Sequence, residues 1–349
     1  MRMIPRRPLA RSPVTLSELS LGCAQLGNLY REVSDGDARA TVDAAWELGV
    51  RYFDTAPHYG LGLSERRLGS VLAGRDRDAY VLSTKVGRLL EPVERPGSQD
   101  DDGFAVPATH RRVWDFSRDG IRRSIAESLE RLGLDRVDIA YLHDPDDHLD
   151  EALASGYPAL DELRAEGLVG AIGAGMNHSR PLAQLVRHAD LDVVMLAGRY
   201  TLLDQTSLDD VLPLCAERGV GVVAAGVFNS GLLARRRPSE TARFDYAVAP
   251  PDRVARARAI AEVCERHGTT LPAAALAFPL GHPAVVSVCI GARTAAQVAE
   301  NARLYGERIP AGLWTELKEF ELVRADAPVP TVSLPTGAEE GVGFGRFCS

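Results

Sequence analysis

Val137-Asp-Ile-Ala-Tyr-Leu-His143, an amphipathic segment closing on Asp161–Glu166 and Gly167, and then Gly170-Ala-Ile-Gly-Ala-Gly175 make one repeating unit. A short apolar run, a helix-period stretch, a glycine stop and a second short apolar run describe a strand, a helix and a strand parallel to the first. The unit extends in both directions. Strands are predicted at Ser20–Cys23, Arg51–Asp54 and Tyr80–Lys85 before it, and at Val193–Leu196, Val220–Ala225 and Val285–Ile290 after it. Several of these eight runs lack polar alternation, as parallel strands covered on both faces do. Eight strands, each followed by a helix, favour a closed (β/α)8 TIM barrel over an open sheet. An open dinucleotide-binding sheet would carry G-x-G-x-x-G after its first strand. Gly22 and Gly27 do not supply it, and Gly60-Leu-Gly62 lacks the third glycine. All 349 residues are assigned to this one domain.

Capping chemistry marks the helices. Ser34 and Asp37 open a face of Ala38, Val42, Ala45 and Trp46, the pattern of a capping box. Ser117 precedes Ile121, Ile125, Leu129 and Leu132, with Gly133 as the stop; Arg253–His267 ends at Gly268. Three segments fall outside the repeat. Residues 1–18 are placed at the barrel floor. Residues 86–116, with Phe104, His110 and Trp114, form a long loop insertion at the catalytic end, and such loops are lids more often than spacers. Residues 327–349 are rich in proline and glycine and read as a flexible tail.

The bulk numbers exclude several partners. With 45% hydrophobic and 25% charged residues and a net charge of −8, there is no basic excess to attract nucleic acid or anionic lipid. The apolar runs are strand-sized, far short of a membrane span. The five cysteines, Cys23, Cys215, Cys264, Cys289 and Cys348, are scattered and lack a C-x-x-C spacing, which argues against a disulfide framework or a zinc site. Met1–Pro13 is basic and proline-rich without an apolar core, so it is no secretory signal. These features point to a cytoplasmic protein with a small-molecule partner; oligomeric state is left open.

Barrel sites lie at strand C-termini, and four polar residues fall there. Asp54 ends the second predicted strand, Tyr59 follows in its loop, Lys85 ends the third, and His143 ends the fourth. Each has a bland reading alone: a rim lysine, a turn aspartate, a structural histidine. Together they do not, because a buried lysine and carboxylate cost desolvation unless they pair and serve a purpose. Hydride transfer at a carbonyl needs a proton donor or acceptor at the oxygen. A tyrosine near its ordinary pKa of ~10 is too weak a base at neutral pH, and a neighbouring ammonium lowers that value. On this reading Asp54 orients Lys85, Lys85 tunes Tyr59, and His143 holds the substrate oxygen.

Arg51-Tyr-Phe-Asp-Thr-Ala-Pro-His-Tyr-Gly60, Gly62-Leu-Ser-Glu-Arg-Arg-Leu-Gly69, Ser83-Thr-Lys85 and Leu142-His-Asp144 resemble the signature of the aldo-keto reductase superfamily, and the resemblance runs in order from about residue 15 to 305. It implies a catalytic tetrad of Asp54, Tyr59, Lys85 and His143, with Tyr59 as acid and base. Cys23-Ala-Gln-Leu-Gly-Asn-Leu-Tyr30, Arg199-Tyr-Thr-Leu-Leu-Asp-Gln205 and Gly226-Val-Phe-Asn-Ser-Gly231 are similar to the sugar dehydrogenase branch, which holds D-threo-aldose 1-dehydrogenases (L-fucose and related dehydrogenases) and pyridoxal 4-dehydrogenases. That implies oxidation of an aldose hemiacetal to its lactone, with pyridoxal or simple aldehydes and ketones as the alternatives. Arg199, Asn229 and Trp114 are then candidates to contact the sugar.

After the last strand, Thr294 and Gln297 form a helix N-terminal pair. A helix start is an anion site as well as an end to be capped, and the resemblance assigns it to the phosphates of a nicotinamide dinucleotide. Gly291, Arg293, Gln297 and Asn301 are the implied contacts there. Gly226, Val227, Phe228, Asn229, Ser230, Gly231 and Leu232 would wrap the pyrophosphate, and Met176 and Asn177 would reach the nicotinamide. Relatives that prefer NADPH carry basic residues where this chain has Gly291 and Gln297, so the expected cofactor is NAD, with NADP possible. Ala225 stands where a stacking tyrosine is common and Ala197 where a glutamine is, leaving Phe228 to stack. A metal-dependent hydrolase is the rival for His143-Asp-Pro-Asp-Asp-His148, but the first strand offers no H-x-H and no metal is expected. Asp146 and Asp147 are better placed to open the next helix. A non-catalytic cofactor-binding subunit is the other rival, and the complete tetrad argues against it.

Overall fold

Apolar runs too short for helices and flanked by amphipathic segments bury both faces as parallel strands. In the computed structural model, which describes residues 4–97 and 99–331, they are β1 (Leu19–Gly22), β2 (Tyr52–Asp54), β3 (Val81–Val86), β4 (Val137–His143), β5 (Val169–Met176), β6 (Val193–Ala197), β7 (Gly221–Ala225) and β8 (Val285–Gly291). Each pairs with the next in parallel, and β8 pairs with β1 to close the barrel. The predicted strands shift only at their ends. The register sets Asp54 beside Ser83, Lys85 beside Tyr141, and His143 beside Gly175.

The barrel is filled, not hollow. Tyr52, Ile139, Tyr141, Ala171, Val193, Met195, Val223 and Cys289 point inward and pack together. Leu9, Val14 and Leu16 join them from an antiparallel hairpin, Arg6–Pro8 with Thr15–Ser17, which plugs the floor. Outside, a second apolar layer separates strands from helices. The helices are α1 (Asp35–Glu47), α2 (Leu63–Leu72), α3 (Arg118–Leu132), α4 (Tyr157–Ala165), α5 (Ser179–His188), α6 (Val211–Arg218), α7 (Pro251–Arg266), α8 (Leu271–Ala277), α9 (Ala295–Tyr305) and α10 (Ala311–Glu319). Ser34 caps α1 by accepting from the Asp37 N–H, and Ser117 caps α3 by accepting from the Gly120 N–H. Gly133, at φ 67°, ends α3 in the left-handed conformation that glycine adopts freely. Two helices, α7 and α8, follow β7, and α10 packs on α7. Among the described residues no helix is long and apolar enough to cross a membrane.

The insertion after β3 is a β-hairpin rather than an irregular loop. Arg88–Gly97 pairs antiparallel with Ala108–Trp114. Its buried Leu90, Phe104 and Val106 pack with Leu61 and against Leu29, Tyr59 and Leu63, so the insertion walls the mouth of the barrel. Residues 327–331, the head of the segment read as a free tail, lie on the barrel. Ala327 is buried, the Tyr200 hydroxyl donates to the Pro328 carbonyl at 3.2 Å, and a Cβ on Gly281 would come within 2.5 Å of the Val329 backbone. The rest of that segment, with Cys348, lies outside the described residues.

Candidate active site

Lys85 joins two of the other three candidate residues, Asp54 and Tyr59. The Lys85 ammonium donates to Asp54 Oδ2 at 2.7 Å, to the Thr55 carbonyl at 3.0 Å and to the Tyr59 hydroxyl at 3.0 Å. The second Asp54 oxygen accepts from the Ser83 hydroxyl at 2.7 Å, and Ser83 is linked at 3.0 Å to the Tyr52 hydroxyl and through it, at 3.0 Å, to Tyr141. The carboxylate is thus fixed by a hydroxyl chain in the barrel interior. Asp54 and Lys85 are only 2% and 3% exposed, and a buried charge pair survives when its remaining valences are filled in this way. Burial pulls the Lys85 pKa down, but Asp54 and Tyr59 outweigh it and hold the ammonium above the ordinary lysine value. Tyr59 moves opposite to the sequence expectation. Lys85 does lower its pKa, yet burial raises it more, with Asp54 adding to the rise, so the hydroxyl sits above the ordinary tyrosine value.

His143 completes the group, its ring edge-on to that of Tyr59 with centroids 6.1 Å apart. Burial, then Arg88 and Lys85, holds it neutral, far below the usual histidine range. Its Nε2 lies 3.7 Å from Asp144 Oδ2, and a carboxylate there favours the proton on that nitrogen. Nδ1 is buried without a partner. Three groups that sequence reasoning missed also stand here. His58, 5.5 Å from the His143 ring, is pushed to a pKa of about 2 by burial and by Arg88, Arg112 and Lys85. Arg88 and Asp144 are ion-paired at 2.5 Å. Asp144 and His58 have a sequence signal, their places directly after His143 and directly before Tyr59; Arg88 has none.

Tyr59 is seated by two glycines. A Cβ on Gly60 would lie 2.2 Å from the Gly27 carbonyl oxygen, and one on Gly27 would lie 2.5 Å from the Tyr59 backbone. The loops after β1 and β2 therefore touch backbone to backbone, which no larger residue permits. Trp114, a proposed sugar contact, has Arg88 over one ring at 4.2 Å and Phe116 stacked at 5.8 Å. Arg199 donates to Asp245 at 3.0 Å and fastens the small hairpin Arg243–Phe244 with Ala247–Val248. In the run His143–His148, Asp146 bonds His178, and His148 lies against Trp114.

A model of the aldo/keto reductase family matches residues 18–321. The chain belongs to the aldo/keto reductase family. It is 52% identical to a D-threo-aldose 1-dehydrogenase of Pseudomonas sp over 318 residues, 90% of this chain and 97% of that one. It is 41% identical to a pyridoxal 4-dehydrogenase of Microbacterium luteolum over 91% of this chain and 98% of that one. A holo aldo-keto reductase of Bacillus halodurans superposes with a TM-score of 0.71 at 27% identity, covering 94% of this chain and 98% of that one.

As a member of this family the chain is an NAD(P)-dependent oxidoreductase, and the rim of β7 and β8 has the features such a cofactor needs. Gln25 Oε1, Asn229 Oδ1 and Arg293 Nε are buried there without protein partners, and buried polar atoms are seldom left so unless something else meets them. Gln25 fills the space beside Gly291, where a Cβ would come within 2.3 Å of its Oε1. Thr294 accepts from the Gln297 N–H at 3.2 Å while the Gln297 side chain accepts from the Arg293 N–H at 2.8 Å. Asn301 lies further along α9, partly buried. In the loop after β7, Val227 and Leu232 belong to the core. Gly226, Ser230 and Gly231 are exposed, and Phe228 is partly buried. Gly226, Asn229, Ser230 and Gly231 all take positive φ, turning this loop tightly. Met176 is buried at the end of β5 and Asn177 lies at the rim.

Proposed function

We propose that this protein oxidises the anomeric hydroxyl of an aldose hemiacetal to a lactone, with Asp54, Tyr59, Lys85 and His143 as the catalytic group. The supporting observation is 52% identity to a D-threo-aldose 1-dehydrogenase across 90% of the chain, with the Tyr59–Lys85–Asp54 bonds in place. The anomeric oxygen sits between the Tyr59 hydroxyl and His143 Nε2. His143, neutral, donates to it. Tyr59 as phenolate takes its proton as the C1–H bond breaks, and Lys85 stabilises that phenolate through its charge. Bound NAD(P) supplies the acceptor for the hydride. Gly226–Leu232, Gly291, Arg293, Gln297 and Asn301 would hold its phosphates and adenosine, and Met176 and Asn177 its nicotinamide.

NAD is the preferred form. Neither Gly291 nor Gln297 brings a charge, and the Arg293 guanidinium donates to the Leu29 carbonyl at 3.1 Å. A 2′-phosphate then gains few charge-assisted bonds for the desolvation it costs. A cytoplasmic setting agrees with the free, buried Cys23, Cys215, Cys264 and Cys289. The test is to incubate the protein with NAD or NADP and a panel of aldoses, including L-fucose and D-arabinose, and to identify the first product by NMR. The expected result is a lactone, with higher kcat/KM for NAD. Pyridoxal belongs in the panel because of the 41% identical relative named for it. Rapid NADPH-dependent reduction of simple aldehydes with no aldose or pyridoxal oxidised would refute the proposal.

A further inference from the structure

We infer that Arg88 and Asp144 are the recognition pair for the sugar hydroxyl on the carbon next to the reacting one; this rests on the aldose reading above. Both residues leave the ends of catalytic strands. Arg88 follows Gly87, whose φ of 93° turns the chain out of β3, and Asp144 follows His143 directly. The Arg88 Nη2 donates to Asp144 Oδ2 at 2.5 Å, and that same oxygen stands 3.7 Å from His143 Nε2. The nitrogen that would hold the reacting oxygen therefore has this pair as its immediate neighbour.

The pair is built rather than incidental. Its side chains are only 14% and 23% exposed. The guanidinium carbon lies over the Trp114 ring, 4.2 Å from its centroid, and Trp114 is backed by Phe116. Asp144 keeps a φ of 42°, a left-handed conformation that few residues other than glycine, asparagine and aspartate tolerate. Arg88 Nε is buried with no partner. A hydroxyl both donates and accepts, and a guanidinium beside a carboxylate offers an acceptor and donors at adjacent points. The hydroxyl neighbouring the reacting carbon of an aldose is the group whose position matches; a substrate lacking it leaves the pair unanswered. Trp114 on this view supports Arg88 instead of touching the sugar.

The test compares an aldose with its 2-deoxy counterpart in the wild type and in Asp144→Gly, Asp144→Asn and Arg88→Gln. Glycine deletes the carboxylate at a φ it adopts freely, and asparagine is tolerated there, so one of the two reports even if the other does not fold. Dividing variant by wild-type selectivity cancels the intrinsic reactivity of the two sugars. The wild type should favour the parent sugar in kcat/KM by about 10-fold or more, the range of hydrogen bonds to charged groups. Asp144→Gly and Arg88→Gln should lower that preference about 10-fold relative to the wild type, and Asp144→Asn should lower it less. If folded variants retain the full wild-type preference, the pair takes no part in recognition although the aldose reading stands. If the wild type oxidises no aldose, that reading fails and this inference falls with it.

Discussion

Tyr59 is pulled in two directions: burial keeps its proton on, and Lys85 at 3.0 Å works to take it off. Oxidation on the proposed mechanism requires the phenolate, so its rate should climb with pH through the alkaline range without levelling off below the ordinary tyrosine value of ~10. The reverse reduction, which needs the phenol, should hold steady until strongly alkaline pH. Lys85→Met removes the cation and should move the oxidative rise to higher pH still; an unchanged profile in a folded, active variant would contradict the tuning role. Tyr59→Phe should lower kcat by about 10²–10⁴-fold, the span of general acid–base catalysis, while cofactor binding measured by fluorescence persists. Near-normal kcat with chemistry rate-limiting would remove Tyr59 from the role. Asp54, Lys85 and His143 are legible because strand ends are legible, and Tyr59 because it lies in the loop after one of them. The net direction of the Tyr59 shift was not, since it depends on burial by Leu61, Phe104 and their neighbours, which no local pattern reveals. Arg88 is hidden for a related reason: its pairing with Asp144 depends on how the chain leaves β3 into the insertion.

At the scale of elements, the loops after β1 and β2 decide where the Tyr59 hydroxyl lies. Gly60 sits at φ 65° with its would-be Cβ 2.2 Å from the Gly27 carbonyl oxygen. Gly60→Ala must push the two loops apart. The expected cost is about 1–3 kcal/mol of stability, as for other overpacked sites, and a fall in kcat of about 10²-fold, as for displacement of a reacting group by roughly 1 Å. Urea unfolding and steady-state rates check the two separately; a variant with wild-type kcat would show that Tyr59 does not depend on this contact. In the sequence Gly27 and Gly60 bear only on a phosphate-binding fingerprint that the chain does not complete, because a close approach between loops distant in sequence leaves no spacing to read. Strands and capped helices were legible, since periodicity and N-cap chemistry are local. The hairpin in 86–116 is not: its first strand, with Glu91-Pro-Val-Glu-Arg-Pro-Gly97, carries prolines that argue against a strand, and the insertion is fixed by packing on the Tyr59 loop instead.

For the whole molecule, the histidines kept neutral by the fold set its response to acid. His143 and His58 at the mouth and His282 beyond β7 are all held below the ordinary value of 6.5 by burial, His58 to about 2 and His282 to about 4. Below pH 6.5 the unfolded chain takes up a proton at each while the folded one does not. Stability is therefore lost as pH falls, by up to about 1.4 kcal/mol per pH unit for each group. The loss sets in at about pH 7, as the unfolded histidines begin to protonate, and continues towards about 4 for His282 and about 2 for His58. Asp138 and Asp144, raised above the ordinary carboxylate value by burial, act in the opposite sense, binding protons in the fold first. Because their ordinary value is far lower, that offset belongs to more acidic solutions, and between pH 6.5 and 5.5 the histidines prevail. Urea unfolding at pH 7.5, 6.5 and 5.5 should show stability falling by about 1 kcal/mol over the first interval and by about 3 kcal/mol over the second, three groups acting together. His282→Asn, away from the catalytic residues and able to keep an acceptor for the Ala284 N–H that Nδ1 now receives at 3.2 Å, should reduce that fall by about a third. Equal stability at pH 7.5 and 5.5 would mean that these histidines are reached by protons without unfolding, and so that the mouth around His143 opens to water far more readily than its packing implies.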